Sequence, residues 1–242
     1  MGEAWRAQLA QDAETWGLTL NETQLQQFVL YRRLLQTWNR RLNLTAVDDD
    51  EGIRVRHFLD SLSCATATGD LNGQRLIDVG TGAGFPGLPL KILYPYLHLT
   101  LVESVTKKTR FLQAVVEELG LQEVAIIDRR AETVGQQPAH REQYDWAVAR
   151  AVAALPVLAE YLLPLCRLGG HALAMKGETA PEEVAQATDA VATFGGGAPT
   201  LHPVQLPGQP ETYYLVLIEK VASTPHKYPR RPGMPAKRPI GE

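Results

Sequence analysis

Leu76-Ile77-Asp78-Val79, Gly80-Thr81-Gly82-Ala83-Gly84-Phe85-Pro86-Gly87 and Leu88-Pro89-Leu90-Lys91-Ile92-Leu93 run consecutively and decide how this 242-residue chain is read. The first four residues form an apolar, β-favouring run that meets glycine, the mark of a buried strand. Glycines at alternate positions let the backbone turn sharply and let a ligand approach where a Cβ would otherwise stand. Pro86 and Pro89 suit the first turn of a helix, where a backbone N–H has no intrahelical partner to lose. The stretch therefore predicts strand, glycine loop and helix, with free N–H groups above the strand end, which is the layout of a nucleotide-type cofactor site.

Gly82-Ala83-Gly84-Phe85-Pro86-Gly87 also fits the dinucleotide fingerprint G-x-G-x-x-G, so two cofactors compete for the loop. Asp78-x-Gly80-x-Gly82-x-Gly84 resembles the first motif of class I methyltransferases. Pro86 and Pro89 remove N–H groups that a pyrophosphate would use. Both features favour S-adenosylmethionine (SAM) over NAD, with Gly80, Gly82 and Gly84 at the cofactor.

Strands and helices alternate after the loop. His98–Glu103 reads as the second strand, and Glu103 falls 21 positions after Gly82, the spacing of a carboxylate that accepts from a ribose hydroxyl. Further strands are predicted at 123–127, 144–149, 171–175 and 213–218, with helices at 111–119, 155–165 and from Pro181. Gly169-Gly170 reads as punctuation and 195–210 as a loop. Such alternation means a mostly parallel sheet covered on both faces, with ligands beyond the carboxyl ends of the strands. Gly80, Glu103, Arg150 and Lys176 all fall at those ends.

Upstream, Asn21 and Gln24 predict a capped helix start. Leu25, Phe28, Tyr31, Leu35, Trp38 and Leu42 then recur on one helical face, with a shorter helix closed by Gly17 before it. Arg32, Arg33, Arg40 and Arg41 decorate the long helix, either as a solvated face or as a phosphate-contacting surface. Lys107, Lys108 and Arg110 raise the same choice on a later helix, where cations sit beside the positive end of its dipole. By periodicity alone His57 and Asp60 are an i, i+3 pair with a structural role.

The organisation predicted is a helical extension over 1–64, a cofactor-binding domain over 65–222 and a basic, proline-rich tail over 223–242. The net charge of −3 hides that tail, whose Lys227, Arg230, Arg231, Lys237 and Arg238 face only Glu242. A cationic end on an acidic body points to a polyanionic partner. With a proline every few residues the tail is neither helix nor central strand. It is read either as an extended RNA-binding arm or as a disordered end. Cys64 and Cys166 lie far apart and suggest no disulfide framework or metal site. No signal peptide or membrane span is visible, which reads as a cytoplasmic protein.

These stretches closely resemble one family, the bacterial small-subunit ribosomal RNA methyltransferase G, once called glucose-inhibited division protein B. The matching residues are Asn43-Leu44-Thr45-Ala46, Arg56-His57-Phe58-Leu59-Asp60-Ser61, Asp78 to Gly87, Glu103-Ser104 with Lys107-Lys108-x-Arg110-Phe111-Leu112, Arg130-Ala131-Glu132, Arg150-Ala151, Lys176-Gly177 and His226-Lys227-Tyr228-Pro229-Arg230. The resemblance implies a class I SAM-dependent methyltransferase, a Rossmann-like α/β fold with a mostly parallel seven-stranded sheet. It implies cofactor contacts at Gly80, Phe85, Glu103, Ser104, Ala131, Glu132 and Arg150, and methylation of N7 of a guanine in 16S rRNA of the small ribosomal subunit, near the decoding site. Arg150 and Lys176 are the catalytic candidates. A ring nitrogen already presents a lone pair, so direct transfer needs positioning and charge management rather than a base or a nucleophile. An NAD-dependent oxidoreductase, a methyltransferase of another RNA or a small molecule, and a non-catalytic RNA-binding protein are the alternatives.

Overall fold

A computed structural model describes residues 2–241. Seven strands form one sheet in the order β3-β2-β1-β4-β5-β7-β6: β1 (Arg75–Val79), β2 (His98–Glu103), β3 (Val124–Asp128), β4 (Tyr144–Arg150), β5 (Cys166–Lys176), β6 (Thr200–Gln205) and β7 (Thr212–Glu219). The first five run parallel, and β7 pairs antiparallel with both β5 and β6. The chain winds outward from β1 in both directions. The crevice above β1 and β4 is therefore the switch point where such sheets bind ligands. This is the Rossmann-like sheet that the sequence predicts.

Helices cover both faces. On one lie α1 (Gly2–Glu14), α2 (Glu22–Leu42), α3 (Gly87–Leu93) and α4 (Thr106–Glu118). Their apolar residues Trp5, Phe28, Tyr31, Leu88 and Phe111 share one core with Leu76 and Leu99 of the sheet. On the other face α5 (Leu155–Leu162) packs against Ile77, Ala147 and Ala172. Asn21 and Gln24 form the reciprocal cap of α2, each side chain accepting from the other's backbone N–H. A π-helical segment, Ile53–Leu59, buries Ile53, Val55, Phe58 and Leu59 in the same core as Phe28 and Tyr31. Among the described residues no helix is long and apolar enough to cross a membrane.

Two expectations need correction. The predicted loop over 195–210 contains β6, the outer antiparallel strand, which accommodates Pro203 because an edge strand can forgo one N–H. Gly169-Gly170 lies inside β5 rather than before it. Gly169 has φ +71°, and a Cβ on Gly170 would stand 2.9 Å from the carbonyls of Tyr144 and Asp145, so the pair carries the strand past an irregular register.

Candidate functional site: a nucleoside cavity beside an arginine-centred cluster

Asp78, at the end of β1, holds the glycine loop from beneath. Its Oδ2 accepts from Thr81 Oγ1 at 2.6 Å and from Gly87 N at 2.8 Å. Burial pushes its pKa up to about 6, although both bonds pull the other way. Gly80, Gly82 and Gly84 all have positive φ, yet their side-chain-free positions serve different ends. A Cβ on Gly84 would run into Leu88 and the Tyr31 hydroxyl, and one on Gly80 would stand 2.7 Å from Val152. A Cβ on Gly82 would meet open space, with only the Gly80 carbonyl at 4.0 Å. A side chain on Gly80 or Gly84 would thus meet neighbours of the fold itself, whereas one on Gly82 would project into open space.

The buried carboxylate of Glu103, at the end of β2, reaches the same loop. Oε2 accepts from Gly82 N at 3.1 Å and Oε1 from Val105 N at 2.9 Å, while Lys108 Nζ lies 3.9 Å from Oε2. A cavity of about 280 Å³ opens over the ends of β1, β2 and β3, bounded by Gly80, Glu103, Ser104, Ala131 and Glu132. That volume is close to the lower end for small-molecule sites. The Gly80 backbone, a carboxylate at the second strand and apolar Val79 and Val102 in this lining fit the nucleoside part of SAM, with the open space over Gly82 outside the lining, on the loop that Glu103 holds. Val152, Tyr161 and Ala236 also line the cavity. Sequence reasoning missed all three, because each arrives from a segment without a local signature.

Of the predicted cofactor residues, Gly82, Gly84, Phe85 and Arg150 lie outside that lining, the last two in a cluster beside it. His57 stacks on Phe85 with ring centres 4.5 Å apart and planes at 13°. The Arg150 guanidinium lies over the same ring at 4.9 Å. Arg150 Nη1 donates to Asp60 Oδ2 at 2.8 Å and to the Arg56 carbonyl at 2.9 Å. The Nε2 edge of the His57 ring is tied to Thr45, whose Oγ1 is 2.9 Å away. Four matching stretches far apart in sequence thus meet at one ring. Burial first, then Arg150, lower the His57 pKa to about 4, so the imidazole is neutral. Burial raises the pKa of Asp60 against the pull of Arg150.

A second cavity, of about 390 Å³, opens next to this cluster between Asp60, Arg150, Met175, Lys176 and Tyr213. Lys176 Nζ is held at its edge by Glu183 Oε2 and the Ala153 carbonyl, both at 2.6 Å. Arg150 and Lys176 are therefore fixed cations with carboxylate partners, suited to orienting a group and not to removing a proton. Burial pushes the Cys166 thiol up to about 12 and the Cys64 thiol well above its usual value. Among the described residues no group of His, Cys, Asp or Glu could hold a metal ion.

The candidate RNA residues separate. Arg33, Lys107 and Arg110 are exposed, and Lys107 Nζ reaches the Leu42 carbonyl at 3.0 Å, which joins the end of α2 to the start of α4. Lys108 leans towards Glu103. Arg32 is a correction: it is buried, lies 4.5 Å over the Trp5 ring and pairs with Asp50 at 3.2 Å, so it faces no partner. The tail is a second correction, for it is neither an extended arm nor a loose end. Tyr228 is buried edge-on to Phe194, and Arg230 clasps Glu160 through Nε and Nη2 at 2.6 to 3.1 Å. Lys227 lies over the Tyr228 ring, and Arg231 is exposed.

The family model described as GidB, rRNA small subunit methyltransferase G, matches residues 24–205. A ribosomal RNA small subunit methyltransferase G from Roseiflexus castenholzii is 54% identical over 96% of this chain and 99% of its own length. The protein of the same name from Alkaliphilus metalliredigens is 46% identical over 93% and 94%. Among solved structures, a mutant of a 16S rRNA (adenine(1408)-N(1))-methyltransferase from Catenulisporales acidiphilia superposes with TM-score 0.53 at 18% identity, over 64% of this chain and 88% of that one. A predicted O-methyltransferase from Agrobacterium tumefaciens gives TM-score 0.53 at 16% identity, over 69% and 81%. At such identities these two structures speak to the fold alone.

Proposed function

The chain belongs to the rRNA small subunit methyltransferase G family, and we propose that it methylates N7 of a guanine in the 16S rRNA of the small ribosomal subunit, in the cytoplasm, with SAM as donor. The observation that carries this reading is the open space over Gly82 beside the buried Glu103 carboxylate, within the stretch that the family shares. SAM, when bound, supplies an activated methyl group on a sulfonium. Gly80, Gly82, Glu103, Ser104, Ala131 and Glu132 are the residues that would hold it.

The rest of the site does what a ring-nitrogen acceptor asks. Guanine N7 carries a lone pair and no proton, so transfer needs position and charge balance, each worth several kcal/mol when supplied by fixed groups. Arg150 is locked by Asp60 and the Arg56 carbonyl, and the neutral His57 supports the Phe85 ring beside it. The second cavity, with Asp60, Arg150, Lys176 and Tyr213 at its walls, is the place for the base. Neither buried thiol is suited to be a nucleophile. In this reading residues 65–222 carry cofactor and chemistry. Residues 1–64 supply the support for Phe85, together with the exposed Arg33, and 223–242 close the cofactor side.

Tritium transfer from labelled SAM to 16S rRNA, naked and in small subunits, tests the activity, and strand cleavage by aniline after reduction tests N7. Label that enters rRNA and marks one aniline-sensitive guanine is the expected result. Binding of NAD in place of SAM, label confined to small molecules, or rRNA bound without transfer would each replace this reading with a different one.

A further inference from the structure

The tail changes character at Arg230. Up to that residue it is fastened many times over. Arg141 donates to the carbonyls of Tyr228 and Thr224, both at 2.6 Å, Gln136 donates to the Pro229 carbonyl at 2.6 Å, and Arg230 clasps Glu160. Beyond it, among the described residues, one hydrogen bond joins 231–241 to the rest of the molecule: Gly233 N to Glu132 Oε1 at 2.8 Å. Glu132 is buried and lines the cofactor cavity. The turn that follows, Met234–Lys237, brings Ala236 to the wall of that same cavity, across from Gly80 and Glu103. Pro235 is buried beneath it, while Gly233 and Ala236 remain exposed.

We propose that Gly233–Ala236 is a flap that completes the cofactor site, latched by Glu132 and hinged at Arg230, so that flap closure and cofactor binding favour one another. The proposal rests on the reading of this cavity as the SAM site. Its physical basis is economy of contact. A segment held by one hydrogen bond, the buried Pro235 and the packing of Ile240 on the second core has fewer fastenings than 224–230, and low-stability segments are the ones that move over ligands. A ligand that touches Ala236 stabilises the closed flap by the same factor with which the closed flap raises its affinity. Glu132 Oε1 is engaged by the flap while the same side chain lines the cavity, so this carboxylate joins the flap to the cofactor it would hold. Arg230, predicted as an RNA contact, is instead the hinge pin.

Removal of residues 233–242 tests this, because it keeps Tyr228 and the Arg230–Glu160 clasp and so leaves the fastened part of the tail in place. SAM affinity, measured by calorimetry on the full chain and on the truncated one, is expected to fall between about 5- and 150-fold, the range of ordinary coupling. Ala236→Trp in the full chain, which fills the cavity from the flap side, is expected to weaken SAM with unchanged thermal unfolding of the ligand-free protein. In the reverse direction, SAM is expected to slow amide hydrogen exchange in 232–238. Unchanged SAM affinity in the truncated chain, while Gly82→Val abolishes binding, overturns the flap and leaves the cofactor site standing. Unchanged affinity in both overturns the site reading and the flap with it. Equal exchange of 232–238 with and without SAM also overturns the coupling.

Discussion

Residues 2–64 reach the sheet through rings, whereas residues 224–241 reach it through carbonyls and carboxylates. At the N-terminal side Trp5, Phe28 and Tyr31 surround Phe58 at 5.0 to 6.0 Å, and Tyr31 continues to Phe85 at 5.5 Å. At the C-terminal side one ring, Tyr228, is buried with Pro229, Pro235 and part of Ile240, and most of the hold is polar: Arg141, Gln136, Glu160 and Glu132 on the tail's backbone and Arg230. Apolar packing is lost only when many contacts open together, whereas a short series of hydrogen bonds opens one segment at a time. The first kind of attachment suits a part that must keep Phe85 and Arg150 in register. The second suits a part that lets a ligand in and out.

The largest effect is expected where the rings converge. Tyr31 is fully buried, and its hydroxyl donates to the Ala83 carbonyl of the glycine loop at 2.5 Å. Tyr31→Ala should cost about 3–5 kcal/mol of global stability, as for other large-to-small ring deletions. Urea unfolding followed at Trp fluorescence and by circular dichroism checks it. Coincident loss of both signals is expected. A local change with intact global stability would show that the extension is only loosely attached.

Next comes a pair of buried groups whose titrations oppose each other. His57 titrates near 4 in the folded chain and near 6.5 when unfolded, so between those values only the unfolded chain takes the proton. Its contribution to stability is therefore present above pH 6.5 and lost as pH falls towards 4. Asp78 is the reverse: held up to about 6 by burial, it binds its proton in the folded chain first, so stability is gained as pH falls from 6 towards 3.8. Each contribution is on the order of 3 kcal/mol at 1.36 kcal/mol per pKa unit. His57→Phe, which keeps a ring on Phe85, should make the protein more stable at pH 4.5 than at pH 7. Asp78→Asn should make it less stable. Parallel pH profiles for both variants and the parent would remove the buried charges from the account.

The two attachments also differ in how far they could be read from sequence. The loop from Asp78 to Gly87, the cap at Asn21 and Gln24, and most strands are local patterns, in which neighbours in sequence are neighbours in space. The ring cluster was half legible. The apolar stripe of α2 was visible, but its buried side is rotated, so Arg32 and Asn39 lie inside while Leu25, Trp38 and Leu42 are only partly covered. A repeat of three and four fixes a face only to within about one residue, and Trp5 decides which arginine is taken in. The tail was illegible for a different reason. Proline spacing excludes helix and central strand, but the partners of its backbone, Arg141, Glu160 and Glu132, lie 70 to 101 residues away and carry no pattern that points to it. Nor could glycine spacing separate Gly82 from Gly84, since the difference is whether Leu88 and Tyr31 stand above the position.

A smaller effect sharpens the polar side of the comparison. Arg230→Ala leaves the Glu160 carboxylate, 1% exposed, without its charged partner. Loss of hydrogen bonds to a charged group costs about 1.5–3 kcal/mol. Here it should appear as opening of 229–238, with faster hydrogen exchange in that segment and little change in the amides of β1 and β4. Equal acceleration throughout the sheet would mean that the tail is fastened as firmly as the rings fasten the extension.

The smallest effect separates two adjacent arginines on α2. Arg32 is taken into the ring-packed side, over Trp5, and Arg33 stands exposed one residue later. If the exposed face of α2 meets the phosphates of rRNA, Arg33→Ala should leave stability within about 0.5 kcal/mol, as at other surface positions without partners. It should also flatten the dependence of log K on log salt by about 0.7 for a single-stranded contact or 0.9 for a duplex one. Arg32→Ala should behave in the opposite way. It removes a desolvated cation–π contact worth about 2 kcal/mol and the pairing with Asp50, and it leaves the salt slope unchanged. The measurement is rRNA binding at several salt concentrations beside urea unfolding of both variants. A slope altered by Arg32→Ala and not by Arg33→Ala would place the RNA on the buried stripe's side of the helix, and the division between ring-fastened and solvent-facing residues would have to be redrawn.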